Sequence, residues 1–322
     1  VKVDKDPYWG VGVISPAWSP DSRWLAYSRR LKNYLGAVFA YSLTDNKPTQ
    51  ITDGMSDAQS PVFDKDGKYL YFTASTDVGA SLQPDIHSFS HPTSRSIYLA
   101  VLDKALPSPF APESDEERPG DEKKKSGEEK KSESPARDGG EAESAAKEVT
   151  VKIDLDNILQ RILSVPMPAR RYTELQAGKA GLLFAVESPA FGPGVRPDQG
   201  RTVHRFDMKT RKADVPVSGV GFFEIAANGE KMLYRQGDRW FIKSLPPMAS
   251  GGGKGPAPGG QSGETPLKTD SLEVRIDPPL EWKQMYREAW RLERDFFYDP
   301  NFHGLDLQAA EKKYEPYLAG IA

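Results

Sequence analysis

The 322-residue chain contains no cysteine, which excludes a disulfide framework, thiolate-ligated zinc, iron–sulfur ligation and a cysteine nucleophile. An excess of charge of one sign is also missing. With 43 Lys+Arg against 46 Asp+Glu the formal net charge is −3, so nucleic acid is not an expected partner. No apolar run approaches the roughly 18 to 20 residues that cross a bilayer as a helix, and no membrane span is expected. The opening Val1-Lys2-Val3-Asp4 has no initiating Met and lacks the basic-then-apolar plan of a secretory leader. The chain therefore reads as an internal piece of something longer, which leaves its localisation open between cytoplasm and periplasm. Histidine is scarce, with four in all.

What is present is a repeat. Ser15-Pro16-Ala17-Trp18-Ser19-Pro20-Asp21-Ser22-Arg23-Trp24-Leu25-Ala26-Tyr27 returns in degenerate form as Ser60-Pro61-Val62-Phe63-Asp64-Lys65-Asp66-Gly67-Lys68-Tyr69-Leu70-Tyr71-Phe72. A third copy of the turn and following strand is found at 222–234, where Asn228-Gly229 stands for Asp21-Ser22 and Asp66-Gly67. Short runs at 24–27, 37–43, 69–73, 96–102, 149–154, 158–166, 181–186, 202–207 and 240–243 alternate or are rich in aromatic and aliphatic residues, as strands are. Asp and Gly between them supply tight turns. A single small twisted sheet cannot bury both faces, whereas sheets stacked around an axis cover one another. The expected fold is all-β, a partial or complete β-propeller of four-stranded antiparallel blades followed by a short α-helical segment. Roughly four or five blades fit the ordered sequence at about 40 to 45 residues each. Trp18 and Phe63 are expected in the layers between blades. An ordinary β-sandwich would also have short strands, but it does not account for the recurring Ser-Pro-aromatic and Asp-turn pattern.

Composition then divides the chain. Residues 1–106 and 148–245 carry the blade pattern. Between them, 107–147 is rich in Pro, Glu, Lys, Ser, Gly and Ala, too poor in apolar side chains to offset its ordering entropy, and reads as a disordered insertion. Residues 246–268 form a Gly/Pro-rich linker. Gly253-Lys254 within it lacks the flanking strand and helix of a phosphate-binding loop. Within 269–280, Leu272-Glu273-Val274-Arg275-Ile276 alternates like a last strand returning to the sheet. From 281 to 322 the period changes: Trp282, Met285, Ala289, Leu292 and Phe296, widened by Tyr286 and Trp290, mark an amphipathic helix over 281–297. The segment 299–304 ends it, and a second helix starts with Asp306 as its cap and carries Leu307, Ala310, Tyr314 and Leu318 on one face.

The chemistry-bearing residues are individually bland. His87 and His91 lie four apart, but Ser88-Phe89-Ser90 and Pro92 argue against a helical metal-binding pair. His204 alternates with Val203 and Phe206 and reads as a surface or inter-blade side chain. Asp21, Asp66 and Asp85 are explained as turn residues. There is no Gly-x-Ser-x-Gly elbow and no calcium loop, so no catalytic, metal or cofactor residue is assigned, and no cofactor is expected. Binding or gating through the axial channel of the propeller remains. His303, Gly304, Trp282 and Trp290 are expected to be structural, His303 as a capping or hydrogen-bonding histidine.

These repeats, together with the closing run from Glu281-Trp282-Lys283-Gln284-Met285-Tyr286 through Asp299-Pro300-Asn301-Phe302-His303-Gly304-Leu305-Asp306, resemble the tricorn protease family, large serine peptidases related to the carboxyl-terminal-processing proteases. The closing run is similar to the opening of the first core domain that follows the second propeller in that family. The resemblance implies a peptide-degrading serine peptidase in which propellers filter or channel peptides or unfolded polypeptides, with homo-oligomerisation of the full-length protein. The catalytic histidine and serine of the family come from later segments, and nothing here matches them. The chain is then expected to be the later blades of the second propeller plus the start of the first core domain, inactive alone. An open array of blades would leave terminal apolar faces in need of a cover. The alternative is a stand-alone propeller serving as a protein-binding or periplasmic scaffold module.

Overall fold

A computed structural model describes residues 3–5, 14–76, 93–111, 149–189, 200–245 and 265–320. The chain forms two compact units, 1–267 and 268–322.

Among the described residues of the first unit, fifteen strands make four antiparallel sheets in chain order. The first holds β1 (Ala17–Trp18), β2 (Trp24–Arg30), β3 (Gly36–Ser42) and β4 (Lys47–Gln50), hydrogen-bonded in that sequence. The second holds β5 (Asp57–Phe63), β6 (Tyr69–Ser75), β7 (Ser96–Val101) and β8 (Ile162–Ser164). The third holds β9 (Tyr172–Ala177), β10 (Leu182–Glu187), β11 (Arg201–Asp207) and β12 (Lys212–Val220). The fourth holds β13 (Phe222–Ile225), β14 (Lys231–Gln236) and β15 (Arg239–Ser244). Each sheet is an up-and-down meander, the blade of a β-propeller.

Strand alternation decides which layer each side chain enters. In β10, Leu183 and Ala185 face the second sheet and join Tyr71, Ile97, Leu99 and Phe206, while Phe184 and Val186 face the fourth and join Phe223, Ile225 and Met232. A strand covered on both faces carries no polar face, which is why Leu182-Leu183-Phe184-Ala185-Val186 is apolar throughout. Between the first and second sheets lie Ala26, Val38, Ala40, Phe63, Leu70 and Phe72. Prolines fall where no ladder donor is needed: Pro48 and Pro216 on the outermost strands β4 and β12, and Pro61 beside the register shift of innermost β5.

The first-to-second-strand turns of the first, second and fourth sheets share one geometry. Ser19, Asp64 and Ala226 donate their N–H to the carbonyls of Trp24, Tyr69 and Lys231, five residues on, and Gly178 reaches Leu182 in a turn one residue shorter. Each turn passes through a left-handed residue: Ser22 (φ 57°), Gly67 (67°), Gly181 (77°) and Gly229 (67°). Two of the turns are also tied onward, one to the connector before β8 and one to the turn before β10. The Asp21 carboxylate accepts from the Val151 N–H at 2.8 Å, and Asp64 from the Gly181 N–H at 3.1 Å.

Three expectations need correction. Trp18 is 58% exposed, whereas Phe63 is buried. Trp18 pairs with Leu25, whose face of the first sheet is turned away from the second, and among the described residues no further sheet covers it. The run Leu272, Val274 and Ile276 is not a strand; these side chains are 74, 80 and 58% exposed, and the helix already begins at Pro278. No strand forms at 149–154 either: Val151 is a buried connector, and 158–161 is a 3-10 turn leading into β8. His87, His91, Asp85, Gly253-Lys254 and nearly all of the charged insertion lie outside the described residues.

The second unit is a helical hairpin. Helix α1 (Pro278–Phe296) starts at Asp277, whose side chain accepts from the Leu280 N–H, with prolines in the first turn where no donor is missed. Helix α2 (Leu307–Tyr314) is capped by Asp306, which accepts from Ala309 at 2.9 Å, and passes into a 3-10 turn over Glu315–Gly320. Tyr286 donates to the Glu311 carbonyl and Trp290 stacks on Tyr314 at 6.5 Å. These residues, spaced by four along α1, close the hairpin.

Candidate functional site: the axial groove

The innermost strands β1, β5, β9 and β13 converge on a cavity of about 370 Å³. Its walls come from every sheet: residues 15–18 and 20 from the first, 60–63 and 65 from the second, 173–177 from the third, and Glu224 with Ile225 from the fourth. An innermost strand is bonded on one edge only, so its other edge offers backbone N–H and C=O groups towards the axis.

The Ser-Pro of the repeat has a function in this wall. Ser60 adopts φ 53° and sits where the β5–β6 register shifts, and its hydroxyl donates to the Thr173 carbonyl at 3.4 Å, linking two inner strands. Gln176 makes the next link. Its side-chain carbonyl accepts from the Ile225 N–H at 2.9 Å, and its amide donates to the Phe223 carbonyl at 3.0 Å. The same amide lies between two carboxylates, Glu174 and Glu224. Burial, then the neighbouring Glu174 charge, raises the Glu224 pKa above the ordinary glutamate value, with the Gln176 hydrogen bond acting in the opposite sense. Glu174 has a cation at 3.8 Å, the Arg201 guanidinium, which also donates to the Gly221 carbonyl. The groove thus offers an exposed indole, open strand edges and two carboxylates, Glu174 half-buried and Glu224 exposed, a lining suited to holding an extended chain by its backbone.

The described histidines are engaged elsewhere. His204 is buried, not on the surface, and its Nε2 lies 2.7 Å from Glu187, with Tyr172 edge-on at 5.8 Å. Burial raises the Tyr172 phenol to about 12. In the second unit His303 lies in a turn of three consecutive left-handed residues, Phe302, His303 and Gly304. Asp299 accepts from the His303 backbone N–H at 2.9 Å and faces its Nδ1 at 3.1 Å, while Nε2 meets the Tyr298 hydroxyl. Trp282 and Trp290 are half-buried on α1, with Trp290 edge-on to Tyr286. Among the described residues neither imidazole meets a serine hydroxyl, and no three His, Asp or Glu side chains converge on a point that could hold a metal. No described helix is long and apolar enough to cross a membrane.

The sequence did not reveal Gln176 or Glu174, because the third blade has no Ser-Pro-aromatic signature and its turn is one residue short. The only usable signal was the spacing of Gly178 and Gly181 before an apolar strand.

Four radially stacked meanders around a groove define a β-propeller joined to a helical segment. The model of the tricorn protease second β-propeller domain matches residues 1–246, and that of the tricorn protease C1 domain matches 278–322. The chain belongs to the tricorn protease family. It is 26% identical over 313 residues to tricorn protease homolog 1 of Streptomyces coelicolor, covering 95% of this chain and 27% of that protein. Against the tricorn protease of Thermoplasma volcanium the identity is 24% over 324 residues, covering 95% and 26%. The crystal structure of the tricorn protease superposes with a TM-score of 0.61 at 18% identity, covering 98% of this chain and 27% of that one, which establishes the shared fold. The chain thus spans about a quarter of the length of these relatives.

Proposed function

We propose that the chain is the non-catalytic, substrate-handling propeller portion of a serine-type peptidase that degrades peptides. The observation that carries this reading is the axial groove, to which every blade contributes its innermost strand. Extended or unfolded polypeptides are its substrates in this reading. The unpaired edges of β5 and β9 hold their backbone with little regard to sequence, and the nucleophile and its base belong to other parts of the longer protein. Family membership through both the propeller and the C1 match supports this over a free-standing scaffold.

This chain contains no cysteine of its own. In the full-length peptidase, with any cysteine outside this chain replaced by serine, Lys65→Cys places a single thiol on the groove wall for coupling to a polyethylene glycol maleimide. The expected result is a several-fold loss of turnover on a long unfolded peptide, with labelling of the catalytic serine by a fluorophosphonate unchanged. Equal turnover before and after coupling would exclude the groove as the route.

A further inference from the structure

A second cavity, of about 430 Å³, opens at the β2–β3 end of the first sheet and is lined by Lys5, Arg29, Arg30, Leu31 and Lys32. Of the five described residues that line it, four are cationic. Asp4 is engaged with one of them: its Oδ1 pairs with Arg29 at 2.8 Å while its Oδ2 accepts from the Tyr27 hydroxyl. Among the described residues no carboxylate lies in ion-pair range of Lys5, Arg30 or Lys32. Two guanidinium nitrogens at the cavity, Nε of Arg29 and Nη1 of Arg30, are shut off from solvent without any hydrogen-bond partner. Closed to water, these two nitrogens are closed to a ligand oxygen as well, so an oxyanion in the cavity is met by the exposed ammonium groups of Lys5 and Lys32 and by half-buried Arg30. The Arg29 guanidinium is held over the Phe39 ring at 4.3 Å, so its fork is fixed before any ligand arrives.

We infer that this cavity binds the carboxylates of an acidic polypeptide segment. The oxyanion chemistry follows from the excess of cations over Asp4 at the cavity. The choice of a polypeptide rests on the peptide-handling reading. It also fits the size of the cavity, which is several times that of one phosphate, and the apolar wall made by Leu31 and the cationic stems.

The test is fluorescence anisotropy of labelled hexaglutamate titrated with the 322-residue chain at low salt. Saturable binding is expected that weakens with added salt, is absent for labelled hexalysine, and falls by about tenfold or more in Arg30→Gln/Lys32→Gln. Circular dichroism of the double variant establishes that it is folded, and the single Lys5→Gln, at an exposed site, provides a milder reduction if it is not. Hexaglutamate binding that is absent, or indifferent to all of these substitutions, would overturn the site. Inorganic phosphate binding more tightly than hexaglutamate, with the same dependence on Arg30, would overturn the polypeptide assignment. Neither result bears on the groove, since Lys65 and Glu224 lie in the other cavity.

Discussion

Asp21 and Asp64 each tie a turn to a later segment of the chain, Val151 and Gly181, yet they respond to pH in opposite senses. At Asp21 burial works against ionisation, but the Ser19 hydroxyl, the Val151 N–H and Arg23 outweigh it and hold the pKa below the ordinary value. At Asp64 burial wins and the pKa is raised, despite the Gly181 N–H. A carboxylate with a lowered folded-state pKa contributes stability above its unfolded value and loses it as the pH falls through the folded one. For a raised pKa the native state holds the proton more tightly, so the contribution is full below the unfolded value and is lost as the pH rises through the folded one. Thermal midpoints across the acid range measure both. Relative to Asp64→Asn, the parent should lose stability as the pH rises from about 4. Relative to Asp21→Asn, it should gain stability as the pH climbs towards about 4.

Glycine matters at the same turns, and unequally. At Gly229 (φ 67°) an added Cβ would meet the Lys179 backbone nitrogen at 2.6 Å, whereas at Gly181 (φ 77°) the nearest neighbour is Met208 Cβ at 3.8 Å. Gly181→Ala should cost only the left-handed backbone penalty, about 1 kcal/mol. Gly229→Ala adds a clash with an immovable backbone atom and should cost roughly 2 kcal/mol or more. Urea midpoints of the two variants give the comparison, and equal losses would contradict the close approach of the third and fourth blades at this turn.

At the scale of elements, stability resides in the layers between sheets. Leu99 on β7 is fully buried in the layer shared by the second and third blades. Leu99→Ala should therefore destabilise by roughly 2 to 5 kcal/mol. The chemical denaturation midpoint checks this. What the sequence revealed of these elements follows the same physics. Central strands such as β10 are apolar on both faces and were legible at once. The polar outer strand β12, with Pro216 and Gly219 inside it, was not, because an edge strand has little burial to encode. β9 was missed as well, since Glu174 and Gln176 turn one of its faces to the groove. Leu272-Glu273-Val274-Arg275-Ile276 misled for the converse reason: alternation specifies a strand only where a partner edge is available, and this run has none among the described residues. The groove itself was legible only as a consequence of the propeller. Its polar links join residues 47, 49 and 113 positions apart, beyond the reach of any local pattern.

At the scale of the molecule, the repeat yields an array in which each blade covers its neighbour, with Trp18 and Leu25 on the face of the first sheet that the second does not cover. The groove is a feature that all four described blades build together, and the functional claim stands on it. Photocrosslinking tests that claim most directly: an unfolded, cysteine-free polypeptide carrying diazirine side chains is irradiated with the 322-residue chain and the adducts are mapped by mass spectrometry. Adducts concentrated at 15–18, 60–63, 173–177 and 224–225 are the predicted result. Adducts confined to the outer strands β4, β8, β12 and β15, with the inner strands unmarked, would contradict it.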